Sequence, residues 1–131
     1  MRMYRTRDRA DRGQSLVEFA LVIPIFLLIV IGLFDVGRAV FAYNTVSNAA
    51  RAAARVAIVN QDTTAVEARA REMAPGLDNR LTVSQEPCSV RECDYVVTVT
   101  YDYEPATPLI GRLFNPTIAS TASMQVEFPN P

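Results

Sequence analysis

The chain has 131 residues, of which half are apolar and 21% are charged, so it suits one small folded domain and excludes wholesale disorder. It contains neither histidine nor lysine, which excludes imidazole general bases, His-ligated zinc, Schiff-base chemistry and a phosphate-loop lysine. The net charge of −1 conceals a polarised chain, because residues 1–13 carry +3, residues 14–61 carry +1 and residues 62–131 carry −5. Because histidine and lysine are absent, we expect no enzyme activity, no cofactor and no metal site.

An uncharged apolar run occupies residues 19–34, FALVIPIFLLIVIGLF. Together with the five residues before it, the run gives 21 residues interrupted only by Glu18. As a helix, this segment would be about 32 Å long, which is enough to cross a bilayer. The arginines of residues 1–13 precede it, so the positive-inside rule predicts a cytoplasmic N-terminus and an exported remainder. Asp35 and Arg38 follow the run, and we expect them to pair across one helical turn and to mark the membrane boundary.

The helical pattern continues beyond the apolar run, because small and apolar residues recur at steps of three and four. A helix over residues 15–59 would be about 68 Å long, more than a membrane requires, so its outer half should pack on something else. One row at four-residue intervals consists of Ala49, Ala53 and Ala57. Such a row packs either against neighbouring subunits or against the chain's own sheet, and we favour the sheet.

The remainder of the chain predicts a small α+β domain. A capping box at Thr64-Ala65-Val66-Glu67 predicts a short helix over residues 65–73. Alternating apolar and polar residues then predict three strands, over residues 81–86, 95–103 and 118–128. A sheet this small needs a helix on one face, and the outer half of the long helix is the expected cover. The predicted fold is therefore a membrane-anchored long helix on a small antiparallel sheet, which is also the general plan of type IV pilins.

A motif at the start of the apolar run carries a resemblance. Residues 12–19 read RGQSLVEF, with Gly13 before Gln14, Glu18 in the fifth position after that glycine, and Phe19 next. This resembles the class III prepilin signal of the Tad (tight adherence) pilus system, in which a glycine precedes the cleavage point. Over residues 12–55 the chain resembles the TadE-like family.

The resemblance implies that a prepilin peptidase cuts the bond between Gly13 and Gln14, and that other pilins and the Tad assembly machinery are partners. Glu18 would then pair with a new amino group at Gln14, of the same chain or of a neighbouring subunit. The alternative is a Glu18 that is simply solvated at the headgroup level. Major Flp pilins usually have tyrosine where this chain has Phe19, and they are much shorter. The chain therefore resembles the minor pseudopilin branch.

The N-terminal segment has three alternative interpretations. These are a cleaved secretory signal, an uncleaved anchor, and a prepilin signal cut before the apolar run. A secretory signal is disfavoured because its nearest candidate cleavage sequence, Gly37-Arg38-Ala39, lies late and follows Asp35. The two functional hypotheses are a pseudopilin of a Tad/Flp-type pilus or related secretion machine, and an uncleaved single-pass membrane protein with an exported binding domain.

The two cysteines, Cys88 and Cys93, lie between the first two predicted strands. In an exported segment two cysteines usually pair, so we expect a disulfide that staples the hairpin. The chain then divides into four segments. Residues 1–13 are a basic cytoplasmic leader and residues 14–35 the transmembrane half of the helix. Residues 36–60 are its amphipathic extension and residues 61–131 an exported domain. The bilayer is an expected partner, and nucleic acid is not.

Overall fold

The computed structural model describes residues 7–87, 93–107, 111 and 116–126 of the chain. Its first element is α1, Arg7–Ala57, a helix of 51 residues that is about 76 Å long. The helix begins earlier than the predicted Ser15, because the residues from Arg7 to Gln14 include no proline that would prevent it. It ends at Ala57, and in the turn that follows the Asn60 N–H donates to the Val56 carbonyl at 2.8 Å.

The second helix, α2, spans Thr63–Glu72. The predicted capping box at Thr64 is not the cap that forms, because the Asp62 carboxylate accepts from the Thr64 N–H at 3.0 Å and from its hydroxyl at 2.7 Å. These two bonds, led by the one from the hydroxyl, hold the pKa of Asp62 below its ordinary value. Glu67 does not reach back to the helix start, because it pairs with Arg71 at 2.8 Å. After α2, Gly76 turns the chain with a φ of 83°, a conformation that glycine adopts without strain.

Three antiparallel strands follow, β1 (Leu81–Glu86), β2 (Asp94–Asp102) and β3 (Thr117–Gln125), in the order β1-β2-β3. The bounds of β1 agree with the prediction, β2 begins and ends one residue earlier than predicted, and β3 begins one residue earlier and ends at Gln125, before Val126. The register places Val83 opposite Val99, and Val99 opposite Ser120. The last residues of the predicted third strand, 127–128, lie outside the described residues. The fold is α+β, as predicted.

The hydrophobic core lies between the sheet and the second half of α1. Alternate residues of β2 are fully buried there, namely Tyr95, Val97 and Val99. They belong to one cluster with α1 alanines that are also fully buried, namely Ala49, Ala50, Ala53, Ala54 and Ala57. Alanine lets the helix backbone approach the sheet closely, so the small-residue row described above is covered within the chain itself.

Candidate functional site: the projecting helix and its anchor

The first half of α1 projects away from this core. Most of its large apolar side chains between Leu16 and Phe34 are between 43% and 72% exposed. By length and composition the helix is able to cross a membrane, and the apolar segment that meets this criterion is not buried inside the chain. An apolar surface of this size has to be covered by lipid or by other proteins. The helix is therefore suited to membrane anchoring.

The motif residues of the prepilin-like signal lie on this projecting half. The Gln14 side-chain amide donates to the Glu18 carboxylate at 3.3 Å, one helical turn away, and both side chains are exposed. Phe19 is exposed beside them. A Cβ built on Gly13 would meet no atom within 4 Å. The helix therefore presents Gln14, Glu18 and Phe19 to whatever surrounds it, and the bond between Gly13 and Gln14 lies inside the helix.

The boundary between the two halves of α1 is fixed by Asp35. Its side chain is buried, with the residue only 6% exposed. The carboxylate accepts from the Ala106 N–H at 2.7 Å, the Thr107 N–H at 2.9 Å and the Thr107 hydroxyl at 2.5 Å. The Tyr103 hydroxyl donates to the main-chain carbonyl of Asp35 at 2.8 Å. We refer to this set of bonds as the Asp35 clamp.

The ion pair predicted between Asp35 and Arg38 across one helical turn is present, and the Asp35 clamp adds partners that the sequence analysis did not predict. The closest nitrogen of Arg38 is 3.7 Å from the carboxylate, and the arginine side chain is 54% exposed. The carboxylate also accepts hydrogen bonds from the segment after β2, where Ala106 and Thr107 follow it by 71 and 72 residues. A sequence pattern does not reveal partners at that separation, and no local spacing signalled them.

Charged and aromatic groups surround the clamp on its outer side. The Arg38 guanidinium lies over the Tyr103 ring, 5.8 Å from its centroid. Arg80 and Glu104 form an ion pair next to it. Burial, reinforced by the negative charge of Asp35, raises the pKa of the Tyr103 hydroxyl above its ordinary value.

The predicted disulfide is not tested by these observations. Cys93 lies directly before β2, and its carbonyl accepts from the Val126 N–H at 3.1 Å. Cys88 lies outside the described residues, so the bridge stays a prediction. Within the described ranges, no group of three or more His, Cys, Asp or Glu residues is placed to hold a metal ion.

A long helix with one half exposed and apolar and the other half laid on a small antiparallel sheet defines a pilin-like architecture. The comparison with known protein families agrees with this class. The model of the family described as TadE-like protein matches residues 13–55, which confirms the resemblance predicted from the sequence. The match covers about a third of the chain and includes the motif glycine, Glu18 and Asp35, whereas the sheet lies beyond it. No curated protein and no solved structure matches the chain. The family match suggests a protein associated with the Tad pilus and with the membrane.

Proposed function

We propose that the chain is a pseudopilin or minor pilin that takes part in assembling a Tad/Flp-type pilus or a related secretion machine. The observation that carries this proposal is the exposed apolar half of α1, which bears the prepilin-like motif and lies within the family match. In this proposal α1 spans the inner or plasma membrane with its N-terminus in the cytoplasm. The sheet domain then lies in the periplasm or outside the cell.

Processing by a prepilin peptidase after Gly13 is part of the proposal. The bond lies inside α1, so the peptidase has to open the helix locally before it cuts. In a helix interior glycine is less stable than alanine by about 1 kcal/mol, and only proline is less favourable. A glycine at this point therefore assists the opening. The six residues that precede Gly13 in α1 would be lost with the rest of the leader.

Glu18 would align subunits within the assembly. A carboxylate in the hydrocarbon of a bilayer is unfavourable unless it is paired, so a glutamate within the first turns of an exposed apolar helix is stabilised by a partner. Before cleavage its carboxylate accepts from the side chain of Gln14. After cleavage the new amino group at Gln14 is a cationic partner, in the same chain or in a neighbouring subunit. An ion pair of this kind stabilises one axial alignment of neighbouring helices.

The decisive test is the N-terminal mass of the protein in native membranes. We expect a chain that starts at Gln14, and we expect Gly13→Ala to leave it starting at Met1. The alanine fits the structure, because a Cβ at position 13 meets no neighbouring atom, so lost processing would reflect the peptidase and not a failure to fold. Gly32→Ala is the matched control, since its Cβ also meets no atom within 4 Å and it leaves the cleavage motif intact.

A wild-type chain that starts at Met1 would contradict this proposal. It would instead favour an uncleaved single-pass membrane protein whose exported domain binds a partner.

A further inference from the structure

The outer edge of β3 is the open side of the sheet. β3 pairs with β2 on one side, and among the residues that the structure describes no strand lies on its other side. At one end of this pairing the Val126 N–H donates to the Cys93 carbonyl at 3.1 Å, and at the other end the Tyr103 N–H donates to the Pro116 carbonyl at 3.1 Å. Bonding alternates along an antiparallel ladder. The even-numbered residues of β3 therefore bond to β2, and the odd-numbered residues direct their N–H and C=O groups outward.

The outward row is long and accessible. Its residues all have exposed side chains, and they are Thr117, Ala119, Thr121, Ser123 and Gln125. Each of them carries one backbone donor and one backbone acceptor, and the row extends over about 27 Å. A row of unpaired backbone groups at this spacing is a template for a further β-strand.

β3 lacks the features with which proteins usually protect such an edge. Its sequence, TIASTASMQ, contains no charged residue and no proline, and its register with β2 is continuous. The other edge strand, β1, differs, because it ends at Glu86 and is followed by Pro87. The Gln85 side chain also ties β1 to α2, by donating to the Thr63 carbonyl at 2.9 Å. β3 is therefore the edge that is ready to accept a strand.

The side chains of β3 define the chemistry of a suitable strand. On the side of the core, Ile118, Ala122 and Met124 are partly buried and pack against the hydrophobic cluster, so apolar side chains beside them would extend the core. On the other side of the sheet the side chains are small or polar and uncharged. A strand that fits therefore alternates apolar residues with uncharged polar ones.

The charge of the domain selects against an acidic partner. Asp94 and Asp102 lie opposite the two ends of β3, and residues 62–131 together carry −5. Like charges placed side by side at an interface are unfavourable, whereas complementary charges favour encounter. Basic residues at the two ends of the incoming strand would therefore suit this edge.

A second copy of β3 does not meet these requirements. Two antiparallel copies of β3 in one sheet would be related by a two-fold axis perpendicular to that sheet. Since α1 packs on the face of the sheet, the same rotation would reverse α1. The two projecting halves would then point in opposite directions, which insertion into one bilayer does not permit. This exclusion rests on the membrane insertion of α1 that the proposed function includes.

We propose that the outer edge of β3 binds an extended segment of another exported protein as a fourth, antiparallel strand. The backbone groups of the odd-numbered residues supply the affinity, and the alternating side chains of β3 select the partner. The proposed function requires partners in the assembly, and this edge adds the surface and the mode by which one of them is bound.

Residue-resolved hydrogen–deuterium exchange of the full chain in detergent tests this edge. The probe is a synthetic peptide with the sequence of β2 in which arginine replaces Asp94 and Asp102, since the side chains of β2 already fit beside β3. In the free chain the even-numbered amides of β3 should be protected and the odd-numbered ones should exchange rapidly. With the peptide at about nine times its Kd, exchange of the odd-numbered amides should slow about tenfold. A scrambled peptide of the same composition is the control and should not change it.

A proline variant addresses the backbone groups themselves. Ala119→Pro removes one outward N–H and leaves the bonds to β2 in place. It should weaken peptide binding about fivefold, the effect of one lost hydrogen bond. Ala119→Val keeps the N–H and should bind like wild type. If Ala119→Pro loses protection of the even-numbered amides and so fails to fold, Ser123→Pro removes a different outward N–H of the same edge.

Three results would overturn the proposal. The first is protection of the odd-numbered amides in the free chain at low concentration, which would show that the edge is already covered. The second is exchange that the peptide does not alter, or that the scrambled peptide alters equally. The third is protection that appears without peptide as the protein concentration rises, which would show pairing between copies.

Chains purified from native membranes separate this inference from the proposed function, because their N-terminal mass is measured on the same sample. A chain that starts at Gln14 and shows no peptide-dependent protection overturns the strand partner alone. A chain that starts at Met1 and shows peptide-dependent protection supports the edge of β3 as a binding site and contradicts pilin-type processing.

Discussion

At the scale of single residues, Asp35 separates the two halves of α1. The helix surface before it is exposed, and the buried apolar residues begin after it, at Ala42. Its carboxylate and its main-chain carbonyl are both bonded to the segment that follows β2. A buried carboxylate is tolerated here because donors replace the water that it loses. The clamp therefore fixes the direction in which the projecting half leaves the domain.

Replacing this carboxylate should loosen that junction. In Asp35→Asn, the amide group brings donors towards the donors of Ala106 and Thr107, so at least one of the three bonds is lost. We expect the Tm of the full chain in detergent to fall by roughly 5 °C or more. Amide exchange at Ala106 and Thr107 should accelerate at the same time.

Asp102→Asn is the matched control for this substitution, because Asp102 is exposed at the end of β2. Its effect on Tm should be small. Equal melting of the two variants, with unchanged exchange at Thr107, would show that the clamp does not hold the junction.

At the scale of elements, the contact between α1 and the sheet depends on small side chains. Ala53 is fully buried in the core cluster that α1 shares with β2. Ala53→Leu adds three carbon atoms where close packing leaves no room, so we expect a loss of about 1–3 kcal/mol in the free energy of unfolding. Ala68→Leu on the exposed face of α2 should change it by less than about 0.5 kcal/mol. Denaturant unfolding of both variants in detergent provides the measurement.

A result in which Ala53→Leu unfolds like wild type would contradict packing on the sheet. Loss of assembly without loss of stability would instead indicate that the alanine row contacts neighbouring subunits.

Local patterns predicted the elements well and their long-range connections poorly. Alternation along β2 was sufficient to predict its buried face, because a strand places successive side chains on opposite sides. The cap of α2 was misassigned by two residues, since Asp62 and Thr64 are both good capping residues and only their geometry distinguishes them. The Asp35 clamp was missed because its donors lie 71 and 72 residues away and two of them are backbone groups, which carry no sequence signal.

At the scale of the whole molecule, the two ends of the chain differ in charge and in packing. The residues before Gln14 carry +3, and the residues after Gln61 carry −5. Cleavage after Gly13 would leave side chains with a net charge of −4, so the mature protein would be more acidic than its precursor. Among the described residues, the buried apolar ones all lie between Ala42 and Val126. The described core therefore contains no residue from the apolar half of the helix.

This division predicts that residues 35–131 fold in water without the membrane segment, provided that they are exported to an oxidising compartment where the predicted disulfide forms. The truncated chain keeps Asp35 and every buried apolar residue of the described core. A second, shorter chain tests the Asp35 clamp. A chain over residues 39–131 loses the Asp35 clamp, and we expect it to adopt the same sheet with a Tm lower by roughly 5 °C or more.

Circular dichroism measures the folding of the two chains, and thermal melts measure the difference in Tm. An unfolded chain over residues 35–131 would contradict the independence of the core, and equal Tm values would contradict the stabilising role of the clamp. Exposed apolar residues that remain on α1 in both truncated chains, such as Phe41, should make both chains bind vesicles weakly while they stay folded.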